Sequence, residues 1–169
     1  MNTRLIVLVA LPAVAGAVLL IVFFNMKSNT EAPLFTITDV NGVVFKLDDQ
    51  KGKIVIVEFM ATSCILCKHQ TEELKLVHER FRDMPVVIIS ISINPLDDPK
   101  TLAKYKDDFE ATWIFAQSYE VGLNYNVKVL PTTVIIDYDG KIRFRHEGVV
   151  VEASKLIGEV SQLLNELKG

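Results

Sequence analysis

The feature that most limits what this chain can become is the stretch Ile54-Val55-Ile56-Val57-Glu58-Phe59 running into Met60-Ala61-Thr62-Ser63-Cys64-Ile65-Leu66-Cys67. The first run is apolar at odd and even positions alike, which marks a strand covered on both faces. Helix-type sequence follows Cys67, with Leu74, Val77 and Phe81 at helical spacing and charges between them. The chain has 2 cysteines, and both are here. A buried strand that delivers C-x-x-C to the start of a helix points to redox chemistry. With Cys64 at the cap or first turn, its sulfur faces unpaired backbone N–H groups and the positive end of the helix dipole. Both favour the thiolate, which is the attacking species. Cys67 is nearly one turn on, on the same face, where it can close a disulfide or resolve a mixed one.

The remaining chain divides into an apolar lead, a short polar stretch and one domain. Residues 5–24, Leu5 to Phe24, carry no charge. At ~1.5 Å per residue such a helix spans ~30 Å, the hydrocarbon thickness of a bilayer. Ala13-Val14-Ala15 offers a cleavage site for a signal peptide, but Val18 to Phe24 continues the apolar run beyond what a signal needs. The expectation is an uncleaved single-pass anchor in the cell membrane. Arg4 precedes it and Lys27 follows it, so the positive-inside bias is slight and puts the N-terminus in the cytoplasm. Residues 25–33 read as a tether and 34–169 as one folded domain. A net charge of −3 leaves no basic excess for nucleic acid.

Within the domain, Asn41-Gly42 between Leu34–Thr38 and Val43–Leu47 predicts a hairpin. Val86 to Ile93 is a second buried strand. Asp98-Pro99 reads as an N-cap followed by proline at the first helical position, opening a helix to Phe109. Trp113 to Phe115 is a short extended piece, and Ser118 to Asn124 a further helix. A third strand runs from Thr133 to Asp137, a fourth from Ile142 to Arg145, and a last helix from Glu152 to Leu167. Strands alternating with helices, then a hairpin and a helix, define an α/β domain with a mixed sheet.

These residues carry a family likeness. Phe59-x-Ala61-x-x-Cys64-x-x-Cys67, Leu130-Pro131-Thr132-Thr133 and Asp139-Gly140-Lys141, in that order over roughly residues 33–167, resemble the thioredoxin fold. The added hairpin and the apolar lead resemble membrane-tethered thioredoxin-like proteins of the TlpA and ResA type, within the redoxin group. The resemblance implies a central mixed sheet flanked by helices, with an N-terminal hairpin extension and one transmembrane helix. It makes Cys64 the nucleophilic cysteine and Cys67 the resolving one. Pro131 matches the family's cis-proline, and Leu130 before it offers backbone hydrogen bonds to a substrate peptide, with Ile65 and Leu66 beside it. Glu58, six residues before Cys64, stands where thioredoxin has a buried acid that manages a proton. The implied activity is thiol–disulfide exchange with partner proteins outside the cytoplasm, by analogy as a reductase of apocytochrome or copper-site cysteines. A membrane partner would supply electrons, and no cofactor beyond the Cys64–Cys67 couple is implied. The chain departs from the pattern at Ser63, where tryptophan is usual, at Leu66, where proline is common, and at Gln70, where ResA-type reductases often place an acid.

Other readings weigh against these. A C-x-x-C staple closes too small a loop to stabilise much by chain entropy. Metal binding through Cys64, Cys67 and His69 fails on helix geometry, because His69 points away. Haem attachment needs histidine directly after the second cysteine, where Lys68 stands. Segment 94–105 resembles Sco-type copper-assembly proteins, which however space their cysteines by three residues and add a histidine near Leu130. A thiol peroxidase of the peroxiredoxin class has threonine where this chain has Ala61. His69, His78 and His146 read as solvated, Trp113, Phe109 and Phe115 as core, and Glu58 either as a solvated strand end or as a proton relay.

Overall fold

The computed structural model describes residues 30–168. The anchor expected at 5–24 lies outside them, and among the described residues no helix is long and apolar enough to cross a membrane. The elements in chain order are β1 (Thr30–Glu31), β2 (Thr36–Thr38), β3 (Val44–Lys46), β4 (Ile54–Met60), α1 (Ile65–Arg80), β5 (Val86–Ser92), α2 (Pro99–Asp108), β6 (Ile114–Gln117), α3 (Tyr119–Asn124), β7 (Thr132–Ile136), β8 (Lys141–Glu147) and α4 (Ala153–Lys168). Six strands form one sheet in the order β1-β8-β7-β4-β5-β6, and β2 pairs with β3 separately. β4, β5 and β6 run parallel, β7 pairs antiparallel with β4, and β8 pairs antiparallel with β7. This is the mixed, helix-flanked sheet that the sequence implies.

The sheet is central because β4 is apolar on both sides, and each side has its own core. Ile54, Ile56 and Met60 pack with Cys67, Leu74 and Val77 of α1 and Leu156, Val160 and Leu163 of α4. Val55, Val57 and Phe59 point the other way, onto Phe35, Ile37, Phe45 and Leu47 of the hairpin and Val121 and Tyr125 around α3. Every residue of β4 is buried, as its unbroken hydrophobicity requires. The hairpin therefore completes the second core. Its turn also bridges Asp39 to Ala116 on β6, covering part of that edge strand.

Two local findings differ from the sequence reading. Part of the stretch read as tether belongs to the sheet: Thr30 and Glu31 pair with Ile142 and Lys141 of β8. Two of the three histidines are not simply solvated. The imidazole Nε2 of His146 lies 2.9 Å from Glu159 Oε2, both side chains 13% exposed. His78 Nε2 lies 3.1 Å from Thr112 Oγ1, its ring set edgewise on Trp113. Partial burial, and then the Arg82 charge, hold the His78 pKa below its ordinary value. His69 is exposed, as expected. Trp113 and Phe115 are buried in the core and Phe109 packs against it.

Candidate active site

The site forms where β4 stops. Ala61 to Ser63 turn the chain, with Cys64 N–H donating to Ala61 O at 3.0 Å. Cys64 is the N-cap of α1, in extended conformation, and its sulfur accepts the Cys67 backbone N–H at 3.1 Å. A thiolate at that position would therefore take a backbone donor and the helix's positive end together. Cys64 and Cys67 are joined by a disulfide with Cα atoms 5.2 Å apart. The pair is asymmetric. Cys64 is half-buried at the core's edge, whereas Cys67 is fully buried within it.

The two residues between the cysteines are apolar and exposed. Ile65 is 70% exposed and Leu66 43%. Leu96 at the tip of the loop after β5 is 83% exposed, and Val129 before the proline is also exposed. The Leu130–Pro131 peptide bond is cis. Pro131 is buried, and Leu130 is half-buried against both cores, so it reaches the core that holds Cys67. Gly148 supports this loop: its N–H donates to Pro131 O at 2.8 Å, and it adopts φ +68°. A Cβ there would stand 3.1 Å from Val129 Cγ2, so glycine serves both the backbone conformation and the close approach. A cleft of about 250 Å³, lined by Thr62, Lys68, Lys104, Tyr105, Asp108 and Phe109, opens beside the turn.

Glu58 is fully buried, so the solvated-strand-end reading is wrong. It shares the β4 face of Ile56 and Met60, the face against which Cys67 packs. Ser90, its register partner on β5, donates its hydroxyl to Glu58 Oε2 at 2.6 Å and accepts the Trp113 indole N–H at 3.0 Å. Among the described residues Oε1 has no hydrogen-bond partner, nor has the hydroxyl of Thr133, the register partner on β7. Burial pushes the Glu58 carboxyl up to about 7, and the Ser90 hydrogen bond offsets only part of this.

Sequence reasoning did not foresee the burial of two further groups. Gln70 is fully buried, and its amide makes a paired contact with Val151: Val151 N–H donates to Oε1 at 2.7 Å and Nε2 donates to Val151 O at 3.2 Å. The residue that replaces the family's acid thus ties α1 to the segment before α4. Asp97 is 3% exposed and accepts four hydrogen bonds, from the Thr62 backbone and hydroxyl, Ser92 and Asn94. A run such as Asn94-Pro95-Leu96-Asp97-Asp98-Pro99 reads as an exposed loop, and nothing local in it marks Asp97 as buried. Among the described residues, no group of three or more His, Cys, Asp and Glu side chains could hold a metal ion.

A disulfide between a half-exposed N-cap cysteine and a buried neighbour, on a thioredoxin-like sheet and near a cis-proline loop, defines the site of a thiol–disulfide oxidoreductase. The chain belongs to the AhpC/TSA family, which matches residues 28–145. It is 29% identical over 143 residues to the thiol-disulfide oxidoreductase ResA of Bacillus cereus (strain ATCC 10987 / NRS 248), covering 82% of this chain and 83% of that protein. The thioredoxin-like protein YneN of Bacillus subtilis (strain 168) is 26% identical over 129 residues, 76% of each chain. Among solved structures, the thioredoxin domain of a thiol-disulfide oxidoreductase from Bacteroides vulgatus superposes with a TM-score of 0.71 at 22% identity, covering 81% of this chain and 97% of that one. A putative thiol:disulfide interchange protein DsbE from Chlorobium tepidum gives 0.69 at 22%, covering 82% and 96%. These likenesses in structure concern the fold.

Proposed function

We propose that this protein reduces disulfides in partner proteins outside the cytoplasm, held at the membrane by residues 5–24. The observation that carries the chemical part is the asymmetry of the pair, a half-buried Cys64 whose sulfur accepts a backbone donor beside a fully buried Cys67. The reacting form is the dithiol. Cys64 thiolate attacks one sulfur of the substrate disulfide, forming a mixed disulfide and releasing one substrate thiolate, which takes up a proton. Cys67 then loses its proton and attacks the Cys64 sulfur, releasing the second substrate thiolate. Two electrons pass to the substrate, and the Cys64–Cys67 disulfide remains for a membrane electron donor to reduce.

Glu58 is the group to accept the Cys67 proton: it lies under the same sheet face, and a carboxyl near 7 exchanges protons at neutral pH. Ile65, Leu66 and the Leu130 backbone beside Pro131 are the contacts for an extended substrate segment. The location rests on the uncharged length of 5–24 and on the resemblance to tethered proteins. Insulin reduction tests the chemistry: Cys64→Ser abolishes turnover, and a wild-type rate in that variant would remove the proposal. Direction is read from the reduction potential of the couple, where a strongly negative value fits a reductant and a high one an oxidant. Protease added to intact cells tests location, since a domain outside the cytoplasm is cut and one inside is spared.

A further inference from the structure

The turn that presents Cys64 is not held by its own helix alone. Ala61 to Cys64 is closed by the Cys64 N–H to Ala61 O bond, which leaves Thr62 and Ser63 as its two interior residues. Ser63 is exposed. Thr62 is anchored twice to a side chain 35 residues away: its backbone N–H donates to Asp97 Oδ2 at 2.9 Å and its hydroxyl to Oδ1 at 2.6 Å. Each oxygen takes one more donor, Ser92 Oγ on Oδ2 at 2.6 Å and Asn94 Nδ2 on Oδ1 at 3.1 Å. Four donors converge on a side chain that is 3% exposed, and an ionised carboxylate is the side chain that only accepts. Ser92 ends β5, so its hydroxyl fixes Asp97 to the sheet. Main-chain bonds do the same from the other side: Ile93 N–H donates to Met60 O at 3.0 Å, and Asp97 N–H to Asn94 O at 3.1 Å.

We infer that Asp97 is the positioning residue of the redox site, holding Thr62 against the end of β5 so that the Cys64 sulfur stays on the first turn of α1. The inference rests on Cys64 being the reacting sulfur and adds a means by which the adjoining loop sets its reactivity. Asp97 touches neither sulfur, and its effect passes through Thr62. If the turn loosens, Cys64 spends less time against the Cys67 N–H and the helix's positive end, and its thiolate loses stabilisation. The same clamp fixes the base of the loop whose tip is Leu96, so that exposed side chain and Cys64 keep one relative placement toward a partner.

The test is the pH dependence of Cys64 alkylation by iodoacetamide in the reduced full-length protein, followed by mass spectrometry of the Cys64 peptide. Thr62→Val keeps shape and the Asp97 carboxylate but deletes the hydroxyl donor, and Thr62→Ser restores that donor. The expected result is a midpoint raised by about half a unit in Thr62→Val and unchanged in Thr62→Ser. A part in stability alone would lower the melting temperature of Thr62→Val and leave its midpoint at the wild-type value, and that result overturns the inference. Ser92→Ala, which removes the Ser92 donor from Asp97 Oδ2 and leaves Thr62 intact, makes the same measurement if Thr62→Val does not fold, with the same upward shift expected. Failure of the exchange proposal would show separately, as wild-type Cys64 that alkylates but never exchanges with a protein disulfide.

Discussion

Glu58 and Asp97 are both buried carboxylates, and each rests on a serine of the same strand, Ser90 and Ser92, yet they are built for opposite purposes. Asp97 receives four donors and has both oxygens engaged. Glu58 receives one, from Ser90, while its other oxygen meets no partner. A buried carboxyl with one donor is cheaper to protonate than to leave charged, which is why Glu58 is pushed up to about 7. The carboxylate with a full set of donors holds a loop, and the one left short can trade a proton. Tyr105 packs on the same core and feels both acids; burial first, then these charges among others, push its hydroxyl up.

That contrast can be broken in four ways. The largest effect is expected from Asp97→Ala, which leaves several donors without an acceptor and should lower unfolding free energy by about 4 kcal/mol in urea titration. A loss under about 1 kcal/mol would make the clamp ornamental. Next comes the pH dependence that Glu58 imposes. Its pKa is higher folded than unfolded, so the folded state holds the extra proton, and stability is full below about 4.5 and falls as pH rises toward 7. By pH 8.5 the loss is about 3 kcal/mol, and Glu58→Gln should flatten that slope. An unaltered slope in the variant would show that Glu58 titrates normally.

A smaller effect is expected from Ser90→Ala. Removing the hydroxyl deprives Glu58 of its donor and the Trp113 indole of its acceptor, costing about 1–2 kcal/mol and raising the Glu58 titration midpoint further. Indole fluorescence followed against pH reports that midpoint, and a downward move would contradict the assignment. The smallest concerns Thr133, whose buried hydroxyl has no partner. Thr133→Val should leave stability unchanged or raise it by up to about 1 kcal/mol in thermal melts. A loss of more than that would mean the hydroxyl is paired after all.

Much of this was legible in the sequence because its causes are local. An apolar strand followed by C-x-x-C, an Asn-Gly turn and Asp98-Pro99 each carry their own geometry, and β4, the hairpin and the start of α2 fall where those residues put them. Asp98 caps α2 as expected, accepting the Thr101 N–H at 2.7 Å. Glu58 was conspicuous as the one charge in an apolar strand, though its burial depended on what covers that face. The Asp97 clamp was not legible, since it joins residues 35 apart in a stretch that composition marks as loop. Gln70 stood out only as a departure from the family pattern, and its burial was hidden for the same reason: its partner, Val151, is 81 residues away, and a glutamine on a helix reads as surface. The pairing of Thr30 and Glu31 with β8 gave no pattern at all, two polar residues being too few for a periodicity.

The most direct test of the whole account is the rate at which each cysteine of the reduced protein is alkylated as pH is varied, resolved by mass spectrometry. The account predicts that Cys64 reacts first, with a midpoint well below the ~8.5 of a free thiol, and that Cys67 lags at least about tenfold. Equal rates, or Cys67 reacting first, would contradict it.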